Sequence, residues 1–328
     1  MLRLPPFRYL APRTLDEAVQ MLAQEGEQAM LVAGGTDLYP NMKRRQFTPP
    51  VLVGLRGVTA LKHISGSPEE GMRIGSGVTL TTLANHPVIL EHYPALATAA
   101  EAVSTPQLRN MGTIGGNVLL DTRCNYYNQT EFWRQSIGYC MKKDGDICLV
   151  APGSPRCWAI SSADTAPVLV SLNANVRLVS VRGERVLPIR EIFRDDGMRP
   201  YMKDADEILS EILLPPGDGW QSTYLKLRRR GSFDFPILGV AVALRLAEDH
   251  TVADARLTLG AVASHPVEAT DAANMLIGKR LTPELIDTVA TAASKRAKPL
   301  DNADLTINYR KQVTPVYIRR ALEQLVQR

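Results

Sequence analysis

Met30-Leu31-Val32-Ala33-Gly34-Gly35-Thr36-Asp37-Leu38 is a short apolar run that passes straight into a glycine pair and two small polar residues. Four apolar residues in a row read as a buried strand, and the glycines punctuate it. Upstream, Thr14-Leu15-Asp16-Glu17 has the spacing of a capping box, with Thr14 as N-cap and Glu17 reaching back. Leu15, Ala18, Val19 and Leu22 follow at helical spacing, and Gly26 suits the stop. Downstream, Val51–Leu55 reads as a second buried strand. A first unit of β-α-β-loop-β form is therefore expected over residues 1–57.

A second unit is expected over 58–180. Met72–Val78 reads as a strand, Pro94–Val103 as a helix rich in Ala and Leu, and Asn110–Asn117 as a second glycine-rich loop. Val168–Leu172 is an apolar run, and Val176–Ser180 reads as a strand. A third unit is expected over 181–328. Its strands fall at 207–214, 222–227, 238–246 and 255–263. Thr282 caps a helix with Pro283 at its first position, running to about Ala297, and a last helix covers Val313–Gln327.

Composition bounds the function. The chain has 328 residues, 45% hydrophobic and 22% charged, the mix of a soluble globular protein with two or three domains. No apolar run approaches the eighteen or so residues of a membrane span. The first residues contain no signal-peptide pattern, so a cytoplasmic chain is expected. Net charge is +4, and Arg228-Arg229-Arg230 is as long a basic run as the chain has, so no nucleic-acid partner is expected.

All four cysteines, Cys124, Cys140, Cys148 and Cys157, fall in one short window. Residues 121–160 look like an insert between regular parts of the second unit. Disulfides, structural zinc, a four-thiolate iron–sulfur cluster and four inert thiols all compete, and spacing alone does not choose. No Cys-x-x-Cys pair is present, which weakens zinc. Tyr126, Tyr127, Phe132, Trp133, Tyr139 and Trp158 are six of the nineteen aromatics, enough for an apolar shell around a cluster or for a mini-core.

Gly34-Gly35 and Gly115-Gly116 each read as following an apolar strand and precede Thr36 or Asn117. Paired glycines let backbone N–H groups converge on a pyrophosphate. Either pair alone is an ordinary turn; together they favour an anionic cofactor between two subdomains. Gly75-Ser76-Gly77 lacks the third glycine of a dinucleotide fingerprint, and a strand rather than a helix is expected after it. No phosphate-binding P-loop, nucleophile elbow or paired-histidine metal motif occurs. Redox chemistry remains. Lys226 and the following arginines suit either a solvated strand edge or the offset of cofactor charge.

Leu31-Val32-Ala33-Gly34-Gly35-Thr36-Asp37, Thr113-Ile114-Gly115-Gly116-Asn117, Ala163-Asp164 with Pro167, and Lys226 with its basic neighbours occur in that order. The set, with the tail Tyr309-Arg310-Lys311 to Leu322, resembles the FAD-binding medium subunits of the xanthine dehydrogenase/carbon monoxide dehydrogenase family of molybdenum hydroxylases. The resemblance implies an α+β chain: a two-subdomain FAD-binding fold of the vanillyl-alcohol oxidase/CO dehydrogenase flavoprotein type, then a C-terminal α+β domain. It implies FAD held by Leu31, Val32, Ala33, Gly34, Gly35, Thr36, Asp37 and Leu38 on one side and Thr113, Gly115, Gly116 and Asn117 on the other. Asp164 would hydrogen-bond the FAD, Leu209 would pack near the flavin ring and Lys226 would lie near the cofactor.

The insert is similar to that of the 4-hydroxybenzoyl-CoA reductase β subunits, which implies that Cys124, Cys140, Cys148 and Cys157 ligate a [4Fe–4S] cluster. The same resemblance implies a large molybdenum-cofactor subunit, a small subunit with two [2Fe–2S] clusters, a dimer of heterotrimers and a ferredoxin-like electron donor. Electrons would run from donor to [4Fe–4S], FAD, [2Fe–2S] and molybdenum, removing a phenolic hydroxyl from 4-hydroxybenzoyl-CoA or a related aromatic. An oxidative aldehyde or N-heterocycle dehydrogenase and a zinc-stapled binding module are the alternatives.

Overall fold

Arg8–Leu10 (β1), Ala29–Val32 (β2) and Val51–Gly54 (β3) form a parallel sheet in the order β1-β3-β2. It opens a computed structural model of the chain that describes residues 2–326. The helix Leu15–Glu25 connects β1 to β2. Thr14 caps it by accepting from the Glu17 N–H, and the Glu17 carboxylate reaches back to the N–H of Arg13, one residue before the cap. Ala18, Val19 and Leu22 are buried, and they pack with Leu55, Leu61 and Ile208, which ties this unit to the next. The expected loop between β2 and β3 contains a short helix, Leu38–Lys43.

Ile64–Ser67 (β4), Gly71–Gly75 (β5), Asn175–Ser180 (β6), Gly183–Pro188 (β7) and Ile208–Leu214 (β8) form an antiparallel sheet in the order β4-β5-β8-β6-β7. The expected boundary at 181 is therefore corrected. It falls inside the β6–β7 hairpin, and β8 is inserted between β5 and β6, so the second unit runs to Leu214. Helices Leu80–Ala84, Pro94–Ala102 and Thr165–Ser171 cover this sheet and share its apolar core.

Two local expectations are also corrected. A helix, not a strand, follows Gly75-Ser76-Gly77, because Thr79 caps Leu80–Ala84 by accepting from the Thr82 N–H. Gly115-Gly116 follows the helix Pro106–Arg109 and a turn rather than a strand, and lies inside the short helix Ile114–Val118, capped by Thr113. Glycine is a poor helix former; here the cap and burial of Ile114 and Val118 outweigh that preference.

Trp220–Leu227 (β9), Leu238–Leu246 (β10), Val252–Gly260 (β11) and Val267–Glu268 (β12) form an antiparallel sheet in the order β12-β11-β10-β9. Helices Pro283–Ser294 and Ile307–Val326 pack on it through Ile286, Val289, Ile318, Ala321 and Leu322. The last helix starts six residues earlier than expected, and Gln327, its expected end, lies outside the described residues. Among the described residues no helix is long and apolar enough to cross a membrane.

The insert is closed at its neck. Arg123 and Ile160 pair as an antiparallel bridge, with N–H to carbonyl distances of 2.9 and 2.8 Å in the two directions. Arg134, 1% exposed at its side chain, donates to the carbonyls of Arg44 and Arg45, and Gln46 donates to the carbonyl of Tyr127. Asn302 donates to the carbonyl of Trp158 at 2.6 Å. The insert is thereby fastened to both the first unit and the C-terminal domain.

Candidate cofactor-binding site

The end of β2, the Gly34-Gly35 turn and the Thr113–Asn117 segment face one another across a cavity of about 1100 Å³. That volume is large for a small-molecule pocket and suits a dinucleotide. The cavity is lined by every residue from Leu31 to Leu38, by Thr113, Gly115, Gly116 and Asn117, and by Asp164 and Leu209. Gly35 has φ +69, a left-handed conformation that favours glycine. A Cβ on Gly34 would collide with the carbonyl oxygen of Met111, so glycine here lets the two loops meet backbone to backbone.

Lys226 is the exception. It does not line the cavity. Its ammonium, 4% exposed, donates to Asp164 Oδ2 at 2.9 Å and to the carbonyl of Ala102 at 2.9 Å. Asp164 Oδ1 accepts from the Tyr224 hydroxyl at 2.8 Å. Burial pushes the Asp164 carboxyl up, with Lys226 and Tyr224 opposing, and pushes the Lys226 ammonium down. Lys226 thus braces Asp164 from behind, and its burial rules out the solvated strand edge. Arg229 and Arg230 do line the cavity.

Other polar groups are already engaged. Asn117 Oδ1 accepts from the N–H and hydroxyl of Thr165 at 3.1 and 2.7 Å. Asp37 accepts from Asn41 at 2.8 Å and from Arg123 at 3.2 Å. Burial raises the Asp37 carboxyl, while Arg123 pulls it the other way. The Arg123 guanidinium also stacks 3.8 Å from the Phe235 ring centroid, so it bridges insert, first unit and C-terminal domain.

Cys124, Cys140, Cys148 and Cys157 are all buried, all free and line a second, narrow cavity together with Tyr126 and Tyr127. Burial pushes the thiol of Cys124 up to about 12 and that of Cys157 up to about 11. Among the described residues no group of three or more His, Cys, Asp or Glu is gathered for a single metal ion. The expected aromatic shell is smaller than its residue count. Phe132 is 81% exposed, and Trp158 stacks on Arg156 instead.

Residues 5–217 match the FAD binding domain in molybdopterin dehydrogenase, and residues 222–325 match the CO dehydrogenase flavoprotein C-terminal domain. The chain is an FAD-binding medium subunit of the CO dehydrogenase/xanthine dehydrogenase family. It is 29% identical to the nicotine 6-hydroxylase medium subunit of Paenarthrobacter nicotinovorans, over 98% of each chain. It is 31% identical to the aldehyde oxidoreductase FAD-binding subunit PaoB of Escherichia coli, over 81% of this chain and 85% of that one. A solved carbon monoxide dehydrogenase of Hydrogenophaga pseudoflava, lacking the Mo-pyranopterin moiety of its molybdenum cofactor, superposes with a TM-score of 0.79 at 27% identity, over 98% of this chain and 97% of that one.

The medium subunit's cleft fits FAD on its own chemistry. Its Gly34-Gly35 turn lines the cavity with backbone, and the Ser162 hydroxyl, buried in its wall, has no protein partner. Ser162, Ser76, Arg123, Arg229 and Arg230 were missing from the residues expected at the site. A signal existed for Ser76, in the glycine motif set aside above, and for Arg229 and Arg230, in their basic run. Ser162 and Arg123 carried none, because neither Ser161-Ser162 nor an isolated arginine is distinguishable from loop sequence.

Proposed function

We propose that this medium subunit is a two-cofactor electron-transfer module, with FAD in the cleft and a [4Fe–4S] cluster on Cys124, Cys140, Cys148 and Cys157. The observation that carries this reading is that Cys124 lines both cavities, the cysteine cavity and the large cleft. When bound, the two groups supply reversible electron uptake. The chain's residues do the rest. The Gly34-Gly35 turn presents backbone N–H groups to the pyrophosphate, while the N–H groups of Gly115 and Gly116 are bonded to the Ser76 carbonyl and the Thr113 hydroxyl, so that pair gives close approach only. Arg123, Arg229 and Arg230 offset negative charge in the cleft. Ile208 and Leu209 keep water from its inner wall. The four buried thiols give up their protons on binding metal, as thiolate ligation requires.

The relatives are named as medium or FAD-binding subunits, which supports partners here: a large molybdenum-cofactor subunit and a small subunit with two [2Fe–2S] clusters, as a dimer of heterotrimers. The organic substrate then reacts on a partner chain. The four-cysteine insert supports reductive dehydroxylation of 4-hydroxybenzoyl-CoA or a related aromatic, fed by a ferredoxin-like donor. The relatives' names favour a second reading, oxidation of an aldehyde or N-heterocycle. Assays of the anaerobically purified complex in both directions separate them. Loss of the phenolic hydroxyl with a strong artificial reductant supports the first reading. Turnover only with an oxidant and an aldehyde or N-heterocycle moves the assignment to the second. A complex without FAD contradicts both.

A further inference from the structure

Lys142 places a fixed positive charge in the wall of the cysteine cavity, and we propose that it raises the reduction potential of the cluster bound there. The inference rests on the cluster reading above. The Lys142 side chain is 5% exposed. Its three N–H donors are all used, to Asp121 Oδ1 at 2.8 Å, Thr122 Oγ1 at 2.7 Å and the carbonyl of Gly197 at 2.6 Å. Thr122 itself donates to the same carbonyl at 2.6 Å. The ammonium also lies 4.7 Å from the ring centroid of Tyr127, which shares the cavity wall. The charge is therefore pinned.

Lys142 is the one charged residue among those that line this cavity, and the rest of the wall is apolar, aromatic or thiol. It shares that narrow wall with all four thiols, Cys124, Cys140, Cys148 and Cys157. A four-thiolate cluster becomes more negative when it takes up one electron, with no bond made or broken. A cation held nearby in a low-dielectric wall stabilises the reduced form more than the oxidised one, which raises the midpoint. The Asp121 carboxylate, the ammonium's counter-charge, works the other way. Lys142 is thus a positioning residue that acts through the cluster.

The test is a dithionite titration of the anaerobically purified holo-complex, followed by electron paramagnetic resonance, on Lys142→Gln, Lys142→Arg and Asp121→Asn. The midpoint should fall in Lys142→Gln, stay near wild type in Lys142→Arg and rise in Asp121→Asn. Shifts of opposite sign are not what a merely structural role produces. If Lys142→Gln fails to load, the rise in Asp121→Asn and the unchanged Lys142→Arg carry the test. A loaded cluster whose midpoint is unmoved in Asp121→Asn, or falls there, overturns the inference alone. A wild-type complex without cluster iron overturns the cluster reading and this inference with it.

Discussion

At Gly34 a single methyl group decides whether two loops can touch. Gly34→Ala puts a Cβ against the Met111 carbonyl, an overpacking that costs about 1–3 kcal/mol. The expected outcome is a lower melting temperature and at least tenfold weaker FAD retention, read by flavin absorbance after gel filtration. A variant with full flavin and an unshifted melt contradicts the loop contact. The pair behind the cleft makes a second prediction. Lys226→Met strands Asp164 as a buried charge, at a cost of about 3–5 kcal/mol. The double variant Lys226→Met/Asp164→Asn should recover much of that in urea unfolding, and no recovery would show that the two groups do not act as a pair. Legibility was uneven at this scale. The pairing of Lys226 was not legible, because nothing in a sequence says that Ala102 and Asp164 converge on it.

One carboxylate ties the strands of the five-stranded sheet together. Glu211 of β8 binds Arg73 through both carboxylate oxygens at 2.9 Å, Arg177 at 2.9 Å and His63 at 2.9 Å. Burial alone would raise its carboxyl; the Arg73 hydrogen bonds and charge, with Arg177 and His63, outweigh burial and hold it below the ordinary 4.5. A depressed carboxylate stabilises the fold above its unfolded value and loses that contribution as pH falls through the folded one. Glu211→Gln should therefore melt lower than wild type at pH 7, with the gap closing below about pH 4.5. A gap that stays constant from pH 7 to 3 would contradict this. Elements with strong local signals were legible: the Leu15–Glu25 helix through its cap, and β10 with its expected bounds. The boundary at 181 was misplaced because β8 pairs with strands far away in sequence, and no periodicity records such a partner. The Ile114–Val118 helix was hidden by its two glycines.

For the whole molecule, the family was legible because glycine pairs and their order are local patterns, and both pairs do line one cleft. The cysteine insert was legible as a cluster of residues but not as a neighbour of the cleft. That adjacency depends on the Arg123–Ile160 neck and on contacts with Arg44, Arg45 and Asn302. The proposed function puts FAD and a cysteine-ligated cluster side by side on one chain. Iron, acid-labile sulfide, zinc and FAD quantified per chain, in anaerobically purified wild type and Cys124→Ser, test it most directly. Four irons and one FAD are expected in the wild type, with iron lost and FAD kept in Cys124→Ser. One zinc in place of iron, or four irons retained in Cys124→Ser, would contradict it.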